Sequence, residues 1–575
     1  MTDPRESIHT APQVLIVGAG PVGLTLAIDL GRRGVRCMLI EEQADPRKLP
    51  KMERVNARSM EMYRRLGLAD AIRAAGAPDS ARMDALITVS MAEAPLVRLA
   101  YPSAGEAKKA IAACTDGTLP AEPAHLVSQY TLEPLLMEVA RKTPNVSVRT
   151  GCALRAFSQD EKSVTANLEL ANGSKETVRT EYMVGTDGGR STVRRGLGIP
   201  LQGDGNLAKK NQVFVHCERL WETYAYPQAR MIFFTNADQS ILSLQDSLKH
   251  FVFHTSCWGN HDELRAQIRD TLRIPVEFEI LSTTGWTLHL LLAERYMEKR
   301  ILIAGDACHL VIPTGGLGLN TGIGDAIDLS WKLAATLQGW GGPELLPSYA
   351  LERRAVGKRN IEGSRYAAQG QISWRSAVRP NLDEDTPEGR GVRAAVAHLA
   401  NVEQRKTHEQ VGTELGYRYD TSPLICPEEQ DEGPWPPDVK DFYIPTSRPG
   451  ARLPHMWMKD GRAVQDSIGS GYTLLKLGGS SADTSLLEGA VRDRGAPLDV
   501  LSLNDPGLRD IYGRDLLLLR PDLHVCWRGN RPPSDPKMVV DVVTGWQVGP
   551  LAEKVNEAVD AAPAPAARQS AKMDW

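Results

Sequence analysis

Two glycine-rich turns carry the residues best suited to chemistry. The first is Gly18-Ala19-Gly20-Pro21-Val22-Gly23, directly after the apolar run Val14–Val17. A nucleotide pyrophosphate needs backbone N–H groups aimed at it and no side chain in the way. Gly18 permits the tight turn, Gly20 lets the backbone approach the phosphates, and Gly23 lets the following helix pack close to the strand. The helix N-terminus adds positive potential and unpaired donors. Glu41 lies 23 residues beyond Gly18, where a carboxylate can accept hydrogen bonds from ribose hydroxyls. That suits FAD or NAD better than NADP, whose 2′-phosphate it would repel. The second turn lies in GDACHLVIPTGGLGLNTGIGDAIDLSWKLA, residues 305–334. Asp306 could hold a ribitol or ribose hydroxyl. Gly315, Gly316 and Gly318 allow backbone approach to a flat ring. A helix after Asn320 would aim its amides at developing negative charge, as on the pyrimidine side of a reduced flavin. The alternative is a glycine-rich loop that merely closes a strand–helix unit.

The elements that must position these turns read as an α/β fold. A strand at Val14–Val17, a helix over Leu24–Arg33 ended by Gly34, and a strand over Val35–Ile40 form a Rossmann-like β-α-β unit. Helical patterns recur at 56–75 and 130–142. Asn172-Gly173 marks a hairpin between 146 and 186. Residues 212–290 are β-rich and read as an antiparallel sheet, a separate substrate domain. An apolar strand, RILIAG, and a helix over Gly322–Leu337 return to dinucleotide-fold character. The expected organisation is an FAD-binding domain in two parts, 12–210 and 296–375, around a β-sheet domain at 211–295. A Pro- and charge-rich linker at 376–450, an α/β module at 451–560 and a low-complexity tail at 561–575 complete it.

Composition removes several classes. The chain has 575 residues, 42% hydrophobic and 24% charged, so it is not largely disordered, collagenous or a coiled coil. Lys plus Arg number 67 against 71 acids, a formal charge of −4. That balance gives no reason to expect nucleic acid or an anionic membrane as partner. No apolar run approaches the roughly 20 residues of a membrane span. Eight cysteines without a C-x-x-C pair read as reduced core thiols of a cytoplasmic protein, with no metal site expected.

Together, GAGPVGLTLAIDLGRRGV, VGTDGGRSTVRRGLGI (184–199) and GDACH…P…GLGLN…DA.DL.WKLA resemble the motifs of the single-component FAD-dependent aromatic hydroxylases, the family of p-hydroxybenzoate and phenol hydroxylases. The resemblance spans about residues 12–370. PGARLPH (449–455) and LLRPDLHVCWRG (518–529) resemble the thioredoxin-like C-terminal domain of its longer members. The family implies roles at matched positions. Gly18, Gly20, Gly23 and Glu41 would bind the ADP part of FAD. Lys51 stands where an arginine usually faces the pyrophosphate. Gln129 and Asp306 would contact FAD, and Asp187 would serve both FAD and the nicotinamide donor. Gly318, Leu319 and Asn320 would face the flavin, and Pro313 would border the substrate. Glu42, Cys308 and Leu317 depart from the usual family residues, but none removes a backbone donor.

The implied reaction is hydroxylation of a phenolic or related aromatic substrate with FAD, NADPH or NADH, and O2, through a flavin hydroperoxide. A Baeyer–Villiger oxidation or epoxidation of a polycyclic metabolite is the alternative with the same flavin chemistry. A nicotinamide dehydrogenase would leave the 305–334 cluster without a use. A phenol with a pKa near about 10 needs a base within reach. Glu53, in KMERVNARSME, stands near the position of a substrate-facing aspartate in phenol-hydroxylase-like sequences. The alternative is a loop acid paired with Arg54 or Arg58. His125, His216 and His254 are further proton-carrier candidates, and His309 reads as fixing the flavin loop. Trp221, Tyr224, Tyr226, Phe233, Phe234 and Trp258 are the large aromatics expected to supply the substrate wall, Tyr224 and Phe234 foremost. The longer members of the family commonly form homodimers, so a homodimer is expected.

Overall fold

The computed structural model describes residues 11–45, 49–428 and 433–549; the expected tail at 561–575 lies outside them. Its centre is a six-stranded sheet in the order Met297–Glu298, Ile301–Ile303, Tyr182–Gly185, Val14–Val17, Cys37–Glu41, Val146–Thr150. All neighbours are parallel except the Met297–Glu298 edge. The strands VLIV and CMLI are wholly buried because both faces are covered, which is why they read as unbroken apolar runs. Helices Pro21–Arg32, Gln129–Lys142 and Gly318–Gln338 pack into the same core as the meander Cys152–Gln159, Val164–Leu170, Lys175–Thr180. Gly173, at φ +80°, makes the expected turn of that meander.

The order of strands decides where chemistry can happen. The two glycine turns follow Val17 and Ile303, with only Tyr182–Gly185 between those strands. Glu41 and Asp187 follow the carboxyl ends of their own strands. All four features therefore meet along one edge, the carboxyl edge where open α/β sheets bind ligands. Both helices begin earlier than their apolar patterns indicate. The first starts at Pro21, whose ring is pre-set for a first helical turn, and the second at Gly318, so residues 318–320 form its first turn. Glycine-rich starts carry no apolar periodicity, so the pattern shows them late.

The second sheet has seven strands: Glu279–Thr287, Lys209–His216, His250–Thr255, Ile241–Leu244, Met231–Phe234, Ala85–Thr88, Val97–Leu99. The last two come from before residue 100, and Ala85–Thr88 runs parallel to Met231–Phe234. The sheet is thus mixed and discontinuous in sequence, unlike the contiguous antiparallel unit expected at 211–295. Its strands alternate cleanly. Val213, Val215, Ile232, Phe234, Leu242, Leu244, Phe251 and Phe253 pack one face against helix His261–Leu272. Their sequence neighbours face the other way.

The stretch 376–450 is more than a linker. Helix Pro387–Glu403 packs through Val396 and Ala400 beside Trp374 and strand Val97–Leu99. Short helices Arg405–His408 and Val411–Leu415 follow it. The C-terminal sheet has the order Leu498–Leu503, Tyr472–Leu477, Leu516–Leu519, Val525–Gly529; its first pair is parallel and the others are antiparallel. Trp331, within the second glycine-turn helix, and Trp340, just after it, join this sheet's core. No helix among the described residues is long and apolar enough to cross a membrane.

Candidate active site

One cavity of about 1200 Å³ runs from the first glycine turn, past the second, to the near face of the seven-stranded sheet. At the first turn Gly18 has φ +106°, and a Cβ there would come within 2.7 Å of the Thr186 carbonyl oxygen. A Cβ at Gly23 would overlap the Gly18 carbonyl oxygen. A Cβ at Gly20 would meet nothing within 4 Å. Two glycines are therefore required by packing, and the third leaves open space at a helix N-terminus. That is the distribution a bound pyrophosphate needs. Glu41 turns its carboxylate back to this turn, accepting from the Ala19 amide at 2.9 Å and the Gln43 amide at 3.0 Å. Asp187 accepts from the amides of Thr192 (2.6 Å) and Val193 (3.1 Å) through Oδ2, while its buried Oδ1 has no partner.

The second turn is held from beneath. Asp325 is fully buried and accepts from the Gly305 amide (3.1 Å), His309 Nε2 (2.8 Å) and Arg353 Nε (2.8 Å). Burial alone would raise its carboxyl; the His309 and Arg353 charges outweigh burial and hold it below its ordinary value. Asn320 accepts from the Asn56 amide at 2.9 Å and donates to Gly316 O at 2.7 Å, tying the loop to the helix at Ala57–Arg65. Gly315 and Gly316 have φ +91° and +66°, and the loop delivers Gly318, Leu319 and Asn320 to the cavity wall. Their amides, in a first helical turn, have no intrahelical acceptor. Lys51 bridges to Asp306 at 2.7 Å, and Gln129 donates to Glu133 at the cavity edge.

At the far end Glu53 Oε1 accepts from Arg230 Nη2 at 2.8 Å. The expected alternative pairs do not form: Arg54 binds Glu414 at 2.7 Å, and Arg58 binds Glu61 at 3.2 Å. Burial lowers Arg230 below its ordinary value, with Glu53 opposing, and its Nε has no partner. His254 also lines this end. Burial pushes it down to about 4; Glu53 opposes the shift and Lys210 adds to it. It is neutral at neutral pH. Trp286 stands edge-on to it with ring centroids 6.3 Å apart. His408, from the 376–450 stretch, is driven well below its ordinary value by burial and by Arg230 and Arg54.

All eleven residues expected to touch the cofactor except Gly23 line this cavity, as do Glu53 and Pro313; Gly23 lies just beneath. The expected substrate wall and two of the expected proton carriers are corrected. Phe234 is buried on the opposite face of the seven-stranded sheet, because the period-2 alternation points Ile232 and Phe234 one way and Met231 the other, and Tyr224, just after the short helix Leu220–Thr223, packs into that same far core. Trp221 and Tyr226 pack on that face too, Phe233 packs with Trp374, and Trp258 is 57% exposed. His125 is also outside the cavity. It is buried on Gly76, its Nδ1 is 3.3 Å from Arg73, and its Nε2 has no partner. His216, also outside the cavity, lies tilted against His250 beside Glu218. Sequence reading missed Trp286, Arg230, Arg375 and His408. The in–out alternation could have found Trp286; nothing local marks His408.

Two family models cover most of the chain. Residues 11–364 match an FAD binding domain, and residues 446–550 match the C-terminal domain of aromatic-ring hydroxylases. The chain belongs to the single-component FAD-dependent aromatic hydroxylases. A similar relative is the FAD-dependent monooxygenase apdD of Emericella nidulans, 34% identical over 96% of this chain and 93% of the relative. A putative polyketide hydroxylase of Streptomyces halstedii is 31% identical over 92% of this chain and 95% of the relative. Among solved structures, the flavin-dependent monooxygenase PieE in complex with FAD and substrate superposes with a TM-score of 0.84 at 29% identity, covering 93% of this chain and 99% of that one. This hydroxylase is an FAD-dependent monooxygenase for an aromatic or polyketide substrate. Its glycine turns, the orphaned Asp187 oxygen and the open first turn at 318–320 fit FAD.

Proposed function

We propose that this hydroxylase inserts one oxygen atom into a phenolic ring, using NADPH or NADH and O2. The observation that carries the reading is the placement of the Glu53–Arg230 pair in the same cavity as both glycine turns. Gly18, Gly20 and Glu41 would hold the adenylate end of FAD, Asp187 and Asp306 its polyol, and residues 318–320 its ring. Bound FAD supplies the redox chemistry that activates oxygen. The protein's own part is to position the ring, exclude water and manage one phenolic proton. A carboxylic acid is far more acidic than a phenol, so the Glu53 carboxylate can take that proton only if the phenolate is stabilised. Arg230 stands beside it as a buried cation with an unpartnered Nε, and neutral His254 can relay a proton without adding charge. The order of the C-terminal sheet, with its β-α-β pair and following hairpin, supports a thioredoxin-like reading of that domain. The buried Cys426 and Cys526 thiols, both pushed up by burial, give it no reactive thiolate.

The test is Glu53→Gln in the FAD-loaded enzyme. FAD content stays at wild-type level. Coupled product formation from a phenolic substrate, read by mass, falls at least about 100-fold while NAD(P)H consumption persists as uncoupled turnover. Unchanged product formation at neutral pH sinks the role of Glu53.

A further inference from the structure

The cavity contains a cation that the phenol chemistry does not use. Arg375 is the last residue of helix Pro347–Arg375 and lines the cavity near the seven-stranded sheet. Its guanidinium lies over the Trp374 ring at 4.5 Å, and Nη1 donates to Phe234 O at 2.8 Å. Nη2 is buried with no partner. No carboxylate among the described residues pairs with it, in contrast to Arg54 with Glu414 and Arg230 with Glu53. Burial alone drives its guanidinium down to about 9. Lys210, also in the cavity wall, donates to Ser256 Oγ at 2.9 Å. Burial lowers it, the Arg375 charge lowers it further, and Asp238 partly opposes. His254, the third titratable group here, is neutral. This corner therefore holds two cations; among the described residues Asp238 acts on Lys210 and Glu53 on His254, and neither acts on Arg375.

An unanswered buried charge costs folding free energy, so its retention calls for a ligand that answers it. The pyrophosphate of FAD belongs at the Gly18–Gly20 end. Arg375 already spends one nitrogen on Phe234 O, which leaves Nη2 as a single donor with the Lys210 ammonium nearby. Two separate donors suit the two oxygens of one carboxylate. We propose that Arg375, assisted by Lys210, binds a carboxylate carried by the aromatic substrate. This rests on the reading that the cavity holds that substrate; it adds that the substrate is an aromatic acid.

The experiment titrates the FAD-loaded enzyme with 3-hydroxy-2-naphthoate and with its methyl ester, by calorimetry. The acid binds about tenfold tighter than the ester or better, as one charge-assisted contact provides. In Arg375→Gln the two affinities converge, chiefly through weaker binding of the acid. Arg375→Lys keeps part of the preference. Lys210→Met narrows it independently, which guards against a folding defect in the Arg375 variants. Equal binding of acid and ester by the unsubstituted enzyme overturns the proposal, as does failure of the acid to bind up to millimolar concentration. So does an Arg375→Gln variant that shifts the ratio of NADPH to NADH KM and keeps its acid-to-ester ratio; the cation then reads a dinucleotide phosphate. Flavin content and product formation do not enter these ratios, so failure of the hydroxylase reading is separately visible.

Discussion

At the scale of single residues, the face of a strand decides function more than residue type does. Phe234 and Trp286 are both large aromatics of one sheet, but Phe234 is sealed in the far core while Trp286 borders the cavity. Phe234→Leu is expected to cost about 1 kcal/mol of stability and leave substrate KM unchanged. Trp286→Leu is expected to raise substrate KM about tenfold, through loss of an aromatic contact, with little effect on the melting transition. Equal KM effects would contradict this assignment. His125 has a structural role with a pH signature. Burial lowers it from 6.5 to about 4, with the Arg73 charge adding to the shift. Above pH 6.5 both folded and unfolded states hold it neutral. As pH falls below 6.5 the unfolded state takes up a proton that the folded state refuses until about pH 4. Stability from this group is therefore lost between those values, by up to about 3 kcal/mol. His125→Gln should flatten the fall in unfolding free energy over that window, measured by denaturant titration at several pH values.

At the scale of elements, the helix Gly318–Gln338 does two jobs. Its first turn faces the cavity, and its later turns anchor the C-terminal domain. Arg520, wholly buried, binds Glu352 (2.6 and 2.9 Å), Asp328 (2.9 Å) and Asp522 (2.7 Å), and Lys332 joins Asp328 and Glu352. Such a lattice adds little net stability when complete, but breaking it strands charges. Arg520→Met leaves three buried carboxylates with Lys332 as the one lattice cation near two of them. We expect a loss of about 3–5 kcal/mol, read as a lower denaturant midpoint. A loss below about 1 kcal/mol would show that water or protonation answers those carboxylates. Arg452 with Glu61, both wholly buried, makes a second such tie between the C-terminal domain and helix Ala57–Arg65.

At the scale of the molecule, the C-terminal domain is part of the enzyme's core and not an appendage. Trp331 lies against Tyr472 with centroids 6.3 Å apart, and Trp340 against Tyr472 at 5.9 Å. Removing residues 446–549 exposes that apolar face along with Asp328, Glu352 and Lys332. The shortened chain should be recovered mainly as insoluble protein, without bound FAD. A soluble, FAD-loaded product of that truncation would refute the argument. The 376–450 stretch belongs to the same whole. It puts His408 and Thr407 in the cavity wall and Glu414 against Arg54, so its Pro- and charge-rich composition records tight packing against several surfaces.

The amino-acid sequence by itself determined the dinucleotide turn, its acidic partner Glu41, the flavin loop and the family. These depend on backbone conformation and on spacings of a few residues, which local residue types dictate. It also singled out Glu53 as a candidate base. Only the tertiary structure decided that Glu53 pairs with Arg230, that Tyr224, Phe234 and His125 lie away from the cavity, and that strands 85–99 complete the seven-stranded sheet. Those outcomes depend on which strand face turns inward and on pairings between residues more than a hundred positions apart. A one-residue change of register reverses the first, and no local pattern encodes the second.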